Sequence, residues 1–287
     1  MTTEQCYNDF FNMLILIYEK REAANITDWV FENITGFKRL ERSLNGNIVL
    51  EMNKEQKLKE YLEELLQNKP VQYVLNEAWF YKMKFYVNEH VLIPRPETEE
   101  LVEWIVEDVP SLKYDVQNEE FKVLDVGTGS GCIAVSIKKE LENTDITAID
   151  ISEDALKIAT KNSDALQAKI NFLQNDFLNE SLWNSLGVYD VIVSNPPYIP
   201  EDEKNILAKN VTAFEPSIAL FVPNNNPFIF YEKIAEFSQS HLSINGKVYA
   251  EIHENYSREV QQIFSKYNFN SEIKKDIYGK ERMIRAV

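Results

Sequence analysis

The chain has 287 residues, of which 44% are hydrophobic and 12% aromatic, and its formal net charge is −16. This length and composition exclude a disordered or fibrous protein and predict a globular chain with room for two domains. The negative charge argues against a bare nucleic acid as the main partner, because such binders usually carry a basic face. Two cysteines and three histidines make neither a disulfide framework nor a metal cluster, so we predict no metal site and a reducing compartment.

Residues 1–70 predict a small helical bundle. Apolar side chains recur at helical spacing around residues 7–18, 29–34 and 58–66. Thr27 is the predicted N-cap of the second helix, which should end near Gly36. The first apolar run is too short to span a bilayer and follows acidic rather than basic residues. We therefore expect a cytoplasmic protein without membrane contact. We also expect a monomer. Its N-terminal domain is predicted to serve either for partner recognition or as scaffold.

Residues 71–93 predict a β-hairpin linker, because two aromatic-rich runs alternate around a short polar break. The next stretch, residues 92–99, holds two prolines that favour an extended segment, followed by a helix with an acidic first turn. This stretch predicts either a rigid joint between domains or a lid over a neighbouring site. Residues 94–287 form the third predicted domain, in which catalysis should occur.

From Phe121 onward the pattern alternates between strands and helices, which is typical of an α/β fold. A strand at residues 122–125 leads into the glycine-rich turn of residues 127–131, and a helix begins at Cys132. Glycines let a ligand approach the backbone, and Asp150, at the end of the next strand, suits a ribose diol. The pattern predicts a site for a nucleoside-bearing cofactor. The glycine spacing differs from that of dinucleotide and P-loop sites.

A third strand, residues 170–173, precedes Asp176 and Phe177. A carboxylate beside an aromatic ring is what the amine and ring face of an adenine could contact. The alternative is a helix cap followed by a core phenylalanine. Further along the chain we predict helices at residues 228–242 and 256–267, a strand at 247–252, and an antiparallel pair at 272–276 and 282–287.

The apolar run of residues 191–194 stops at Asn195-Pro196-Pro197-Tyr198. It predicts a buried parallel strand, which the prolines prevent from continuing. Asn195 would then lie at the carboxyl end of the sheet, where open α/β sheets bind ligands. Its side-chain oxygen and the proline carbonyls are acceptors, and Tyr198 offers a flat face. These groups suit a planar group with an NH₂, such as an amide or an exocyclic base amine.

Three motifs, at residues 93–99, 125–131 and 195–198, together closely resemble the bacterial PrmC or HemK family of protein-(glutamine-N5) methyltransferases, which act on peptide chain release factors. The resemblance covers nearly the whole chain. It implies an α/β fold with a class I S-adenosylmethionine-dependent methyltransferase domain, Rossmann-like with a seven-stranded sheet, after an N-terminal helical bundle and a β-hairpin linker. Asn76 and residues 251–253 depart from the family pattern, and we expect neither departure to touch the chemistry.

The resemblance also implies the cofactor and its contacts. S-adenosylmethionine, which leaves as S-adenosylhomocysteine, would be held by Gly127, Thr128, Gly129, Ser130 and Gly131. Asp150 would bind the ribose hydroxyls, and Asp176 with Phe177 the adenine. The NH₂ group of Asn195 would also touch the carboxylate end of the cofactor.

The substrate implied by the resemblance is the glutamine of the Gly-Gly-Gln motif in class I release factors. Its amide would lie against Asn195, a carbonyl of Pro196 or Pro197, and Tyr198. These acceptors would hold both N–H bonds so that the nitrogen lone pair points at the methyl group, and no base is needed beforehand. Three alternatives are adenine-N6 methylation of a nucleic acid, methylation of a ribosomal protein, and a non-catalytic cofactor-binding protein.

Overall fold

The computed structural model describes residues 1–109 and 120–287, which divide into two compact units. The first unit comprises Met1–Glu77 and Lys209–Phe214. The second comprises Ala78–Ala208 and Glu215–Val287 within the described ranges. The predicted catalytic domain, residues 94–287, includes residues 110–119, which lie outside the described part.

The helices and strands of the described residues have the following bounds. The α-helices are α1 (Thr3–Leu14), α2 (Lys20–Thr35), α3 (Arg39–Leu44), α4 (Met52–Leu66), α5 (Val71–Leu75), α6 (Pro96–Asp108), α7 (Cys132–Glu140), α8 (Glu153–Ala165), α9 (Lys209–Phe214), α10 (Ser217–Leu220), α11 (Ile229–His241) and α12 (Ser257–Lys266). The strands are β1 (Ala78–Phe80), β2 (Met83–Phe85), β3 (Phe121–Val126), β4 (Thr144–Asp150), β5 (Asn171–Gln174), β6 (Tyr189–Ser194), β7 (Ile199–Pro200), β8 (Phe221–Val222), β9 (Leu242–Glu251), β10 (Ser271–Lys275) and β11 (Glu281–Ala286). Two 3₁₀ helices span Glu180–Ser185 and Glu201–Asn205.

The N-terminal helices pack around buried apolar side chains, which include Phe10, Phe31 and Leu65. The predicted N-cap at Thr27 is wrong, because Thr27 lies inside α2. Its hydroxyl donates to the Ala23 carbonyl at 2.7 Å, a bond to the preceding turn that is compatible with a helix interior. The predicted end at Gly36 is confirmed, with φ of 76° in the left-handed region.

The predicted hairpin is confirmed as β1 and β2, which pair antiparallel. Tyr81 and Lys82, the two turn residues, both have positive φ, as a type I′ hairpin turn requires. The region before the hairpin differs from the prediction, because Val71–Leu75 forms α5. Asn76 ends this helix with φ of 52°, and asparagine tolerates that left-handed conformation better than most residues other than glycine.

The seven-stranded sheet has the strand order β10-β11-β9-β6-β3-β4-β5, which confirms the predicted fold class. Neighbours from β9 to β5 pair parallel, and β11 runs antiparallel to both of its neighbours. After β3 the chain builds β4 and β5 on one side and then returns to place β6 on the other. Ligands bind outside the carboxyl ends of the strands at such a reversal, here the ends of β3, β4 and β6.

Two apolar cores cover the two faces of this sheet. Val123 and Val191 join side chains from α6 and α7 in one core. Leu124 and Ile192, their neighbours along the strands, join side chains from α11 and α12 in the other. This alternation fixes the register of β3 and β6 and therefore the positions of the residues that follow them. Within residues 1–109 and 120–287, no helix is long and apolar enough to cross a membrane.

Candidate active site

A cavity lies at the carboxyl ends of β3, β4 and β6, and the glycine-rich turn forms part of its wall. Gly127 and Gly129 line it, with φ of 75° and 55°, values that favour glycine. A Cβ atom added at either position would meet no protein atom within 4 Å. The backbone is therefore open to close approach by a ligand at these two residues.

Thr128, Ser130 and Gly131 do not line the cavity; the first two are buried. The Thr128 hydroxyl donates to Asp125 Oδ2 at 2.7 Å. A Cβ atom on Gly131 would come within 3.2 Å of Ala159 Cβ, so the absence of a side chain there lets α8 pack closely. These three residues therefore support the conformation of the turn without lining the cavity.

Asp150 projects into the cavity at the end of β4, as its position in the sequence predicted. Its Oδ2 accepts from Gly129 N and its Oδ1 from Ser152 N, both at 2.9 Å. A carboxylate offers about four acceptor sites, so roughly two remain for a ligand diol. Burial raises the pKa of Asp150, and these backbone N–H groups oppose that shift.

The segment after β5 supplies the next part of the wall, with Asn175, Asp176 and Phe177. The buried Oδ1 atom of Asn175 has no hydrogen-bond partner among the described residues. The sequence analysis gave Asn175 no role, and an unpaired acceptor beside a cavity suits a ligand donor.

Phe177 belongs to the apolar core and also lines the cavity. It lines the cavity, yet only 5% of it is exposed. Its ring packs against Trp183 and Phe237 at centroid distances of 5.7 and 5.3 Å. Phe177 is therefore a core side chain that also contributes to the cavity wall.

Asn195, Pro196 and Pro197 follow β6 and line the opposite part of the cavity. The sequence predicted this placement from the apolar strand and the two prolines. The Asn195 side chain donates from Nδ2 to Thr98 Oγ1 at 3.1 Å. One of the two N–H bonds of this amide is thus taken by the protein, so at most one remains for the carboxylate end of a cofactor.

Tyr198 does not line the cavity, and its ring packs against the core shared with α11 and α12. Its hydroxyl donates to Glu251 Oε1 at 2.9 Å, and the His253 ring lies edge-on to it at 6.0 Å. Burial and the nearby Glu251 charge raise the pKa of Tyr198 well above its usual value. Residues 251–253, which depart from the family pattern, therefore contact Tyr198 through Glu251 and His253.

Glu251 and Thr98 are functional candidates that the sequence analysis missed. Glu251 ends β9, the strand beside β6, and its Oε2 accepts from the Thr98 hydroxyl at 2.6 Å. Both residues are about 2% exposed. Thr98 lies in the motif at residues 93–99, so its segment was identified, but its partner is distant in sequence.

Glu215 is a further residue that the sequence analysis missed, and it holds the proline-rich segment against the cavity. It accepts from Ile93 N at 3.1 Å and from Arg95 Nη2 at 2.6 Å. Val91 and Leu92 before this anchor, like Pro216 after Glu215, line the cavity. The segment is therefore a tethered part of the cavity wall.

The sheet order and the cavity at its chain reversal define the class I S-adenosylmethionine-dependent methyltransferases. Residues 110–219 match the Methyltransferase small domain, and residues 17–75 match the PrmC N-terminal domain. The chain belongs to the release factor glutamine methyltransferase family. It is 41% identical to the release factor glutamine methyltransferase of Flavobacterium psychrophilum, with 96% of each chain covered.

Two further relatives support this assignment at different levels. The release factor glutamine methyltransferase of Bacteroides thetaiotaomicron is 37% identical, with 94% of each chain covered. The structure of a methyltransferase from Pyrococcus furiosus superposes with a TM-score of 0.51 at 17% identity, covering 79% of this chain and 98% of the other. The first likeness supports the family, and the second supports the fold alone.

Proposed function

We propose that the protein transfers a methyl group from S-adenosylmethionine to the side-chain amide nitrogen, N5, of the glutamine in the Gly-Gly-Gln motif of class I peptide chain release factors, and so modulates translation termination. The observation that carries this proposal is the position of Asn195 and Pro196 in the wall of the cavity that also contains Gly129 and Asp150. This arrangement puts amide-binding acceptors beside a nucleoside-type site. The family membership makes release factors the first substrate to test.

The cofactor fits the cavity through groups with spare hydrogen-bonding capacity. The backbone at Gly127 and Gly129 is open to the ligand, and Asp150 would accept from the ribose hydroxyls. Asn175 Oδ1 and Asp176 would accept from the adenine amine, with Phe177 against the ring. Thr128, Ser130 and Gly131 would act by holding the turn in shape.

The chemistry requires orientation more than a base. When bound, S-adenosylmethionine would supply a sulfonium methyl group for a new N–C bond; the sulfur would keep the electrons of the broken C–S bond, and one of the two amide N–H protons would then be released to solvent. Asn195 Oδ1 and a carbonyl of Pro196 or Pro197 accept hydrogen bonds from the two N–H groups of the substrate amide. The nitrogen lone pair then points at the methyl carbon of the cofactor. Fixing this geometry can lower the barrier by several kcal/mol. The same acceptors stabilise the positive charge that grows on nitrogen.

Mass spectrometry tests the proposal directly. The full-length protein is incubated with methyl-labelled S-adenosylmethionine and a class I release factor, and the modified residue is located after digestion. We expect one methyl group on the glutamine of Gly-Gly-Gln and none in a release factor with alanine at that position. No label on the release factor, or label on a residue other than this glutamine, would overturn the proposal.

A further inference from the structure

A partly buried chain of hydrogen bonds leads from Asn195 away from the cavity. Asn195 Nδ2 donates to Thr98 Oγ1 at 3.1 Å, and the same hydroxyl donates to Glu251 Oε2 at 2.6 Å. The other oxygen of this carboxylate, Oε1, accepts from Tyr198 at 2.9 Å. The chain joins three segments, α6, the end of β9 and the residues after β6, that are far apart in sequence.

The direction of these bonds follows from the number of protons available. An ionised carboxylate can only accept, and a threonine hydroxyl has a single proton. Because the Thr98 hydroxyl uses its one proton in the hydrogen bond to Glu251, its oxygen can only accept a hydrogen bond from Asn195. If the Asn195 amide rotated by half a turn, its Oδ1 would face an oxygen that has no proton to offer. The NH₂ end of Asn195 is thus fixed toward Thr98, and its oxygen is directed the other way.

The groups around Glu251 act on its charge in opposite directions. Burial raises the pKa of Glu251, and the hydrogen bonds from Thr98 and Tyr198 and the charge of Arg282 oppose the shift. The raised pKa of Tyr198 keeps its phenol protonated, so that it remains a donor. Each carboxylate oxygen of Glu251 accepts a hydrogen bond from a hydroxyl group, an arrangement that fits the acceptor-only form of the group.

We propose that Thr98 and Glu251 are positioning residues that orient the amide of Asn195, so that Oδ1 is the atom presented to the substrate NH₂. This inference rests on the proposed function, because it assigns the substrate amide to that oxygen. A glutamine NH₂ needs an acceptor, and a rotated Asn195 would offer it a competing donor. The orientation of the Asn195 amide therefore decides whether the site can bind the substrate NH₂, even when every residue of the site is in place.

Paired substitutions at Thr98 test this inference. Thr98→Val keeps the shape and removes the hydroxyl, whereas Thr98→Ser keeps the hydroxyl. We expect Thr98→Val to slow single-turnover methylation of the release factor about 10–100-fold, by analogy with the loss of outer-shell partners of metal ligands. The affinity for S-adenosylmethionine should stay within about threefold of wild type. Thr98→Ser should restore most of the rate, since serine keeps the hydroxyl that accepts from Asn195 and donates to Glu251.

Tyr231→Phe is the matched control. The Tyr231 hydroxyl donates to the backbone carbonyl of Glu251 at 3.0 Å, so its loss removes a buried bond to the same residue without reversing the Asn195 amide. We expect a lower unfolding midpoint and a wild-type rate per folded molecule. A wild-type rate in Thr98→Val, or a Thr98→Ser rate as low as that of Thr98→Val, would overturn the inference. If Thr98→Val does not fold, Thr98→Ala replaces it under the same criteria.

A second measurement separates this inference from the proposed function. The side-chain ¹⁵N–¹H signals of Asn195, assigned with Asn195→Asp, report the hydrogen bond to Thr98 without any substrate. We expect them to shift in Thr98→Val and to stay near their wild-type positions in Thr98→Ser. Unshifted signals in Thr98→Val would refute the orientation, whereas shifted signals with no methylation by wild type would refute only the proposed substrate.

Discussion

At the scale of single residues, the candidate site combines atoms that face the cavity with atoms that hold them. Asn195 and Asp150 do both, because each lines the cavity while bonding to its own protein. Asp125 does not face the cavity: it is fully buried and accepts a hydrogen bond from Thr128 in the glycine-rich turn. Substitutions at these three residues should therefore affect different measurements.

Asn195→Ala should abolish an acceptor that acts in the transition state. We expect transfer to slow roughly 10²–10³-fold, as for loss of one oxyanion-hole donor, with little change in cofactor affinity. Single-turnover rates normalised to folded protein by circular dichroism provide the measurement. If Asn195 merely starts the turn before Pro196, the rate per folded molecule will instead equal that of wild type.

Asp150→Ala should weaken S-adenosylmethionine binding by about 1–3 kcal/mol, the range for a lost hydrogen bond to a charged group. Asp154→Ala is the matched control, because Asp154 lies nearby on α8 with its side chain 54% exposed. Calorimetry on both folded variants provides the comparison. Equal affinities in the two variants would show that Asp150 does not contact the cofactor.

Asp125 should make stability depend on pH. Burial raises its pKa to about 7, above the usual aspartate value, so the folded protein binds this proton more tightly than the unfolded chain. The resulting stabilisation is complete below about pH 4 and is lost as the pH rises through about 7. Between pH 5 and 7 we expect this residue to reduce the unfolding free energy by about 1.4 kcal/mol per pH unit.

Asp125→Asn cannot titrate and should lack this contribution. Urea unfolding of wild type and variant across pH 5–7 measures the difference between their slopes. Parallel pH profiles would show that Asp125 stays ionised in the folded protein. The hydrogen bond from Thr128 can be retained, because asparagine also carries an acceptor oxygen.

At the scale of elements, the proline-rich segment before α6 is fixed by a distant carboxylate. The Glu215 side chain is only 1% exposed and bonds to Ile93 N and Arg95. The prolines stiffen this segment, and Glu215, which is distant in sequence, bonds to its backbone. This bond tethers the segment.

Glu215→Ala should therefore loosen the cavity wall. We expect a loss of about 1–3 kcal/mol in unfolding free energy, because a buried N–H is left unpaired, together with faster hydrogen exchange around residues 91–95. Glu180→Ala is the control: its partner is Lys233, its side chain is 55% exposed, and such pairs contribute at most about 1 kcal/mol. Unchanged exchange in Glu215→Ala would show that the tether is not needed.

At the scale of the whole molecule, we propose that the helical residues 1–70 recognise the release factor and that residues 71–93 connect them to catalytic residues 94–287. Leu40 and Leu44 support a recognition role, since these side chains on α3 are 81% and 87% exposed. Exposed apolar side chains commonly mark interaction surfaces when they lie together.

The full-length Leu40→Ser, Leu44→Ser variant tests this role. We expect a higher KM for the release factor, by about 10-fold or more for an interface that loses two apolar contacts, with unchanged cofactor affinity. Ile244→Ser is the control, because Ile244 is fully exposed on β9 in the other unit. An unchanged KM in the double variant would remove this surface from recognition.

Local sequence determined much of the molecule by itself. The β-branched run before Asn195 predicted a buried strand, the glycines predicted an open turn, and Asp150 was correctly placed at the end of the next strand. These features succeed because periodicity, glycine conformation and proline stiffness act over a few residues.

Only the tertiary structure decided which side chains support the site. Thr98 and Glu251 are 153 residues apart, and Ile93 and Glu215 are 122 apart, so no local pattern links them. The sheet brings β9 beside β6 and thereby sets Glu251 near Tyr198, whose ring packs against the core. The physical reason is that local preferences select each strand and turn, whereas the pairing of strands selects which of their ends meet.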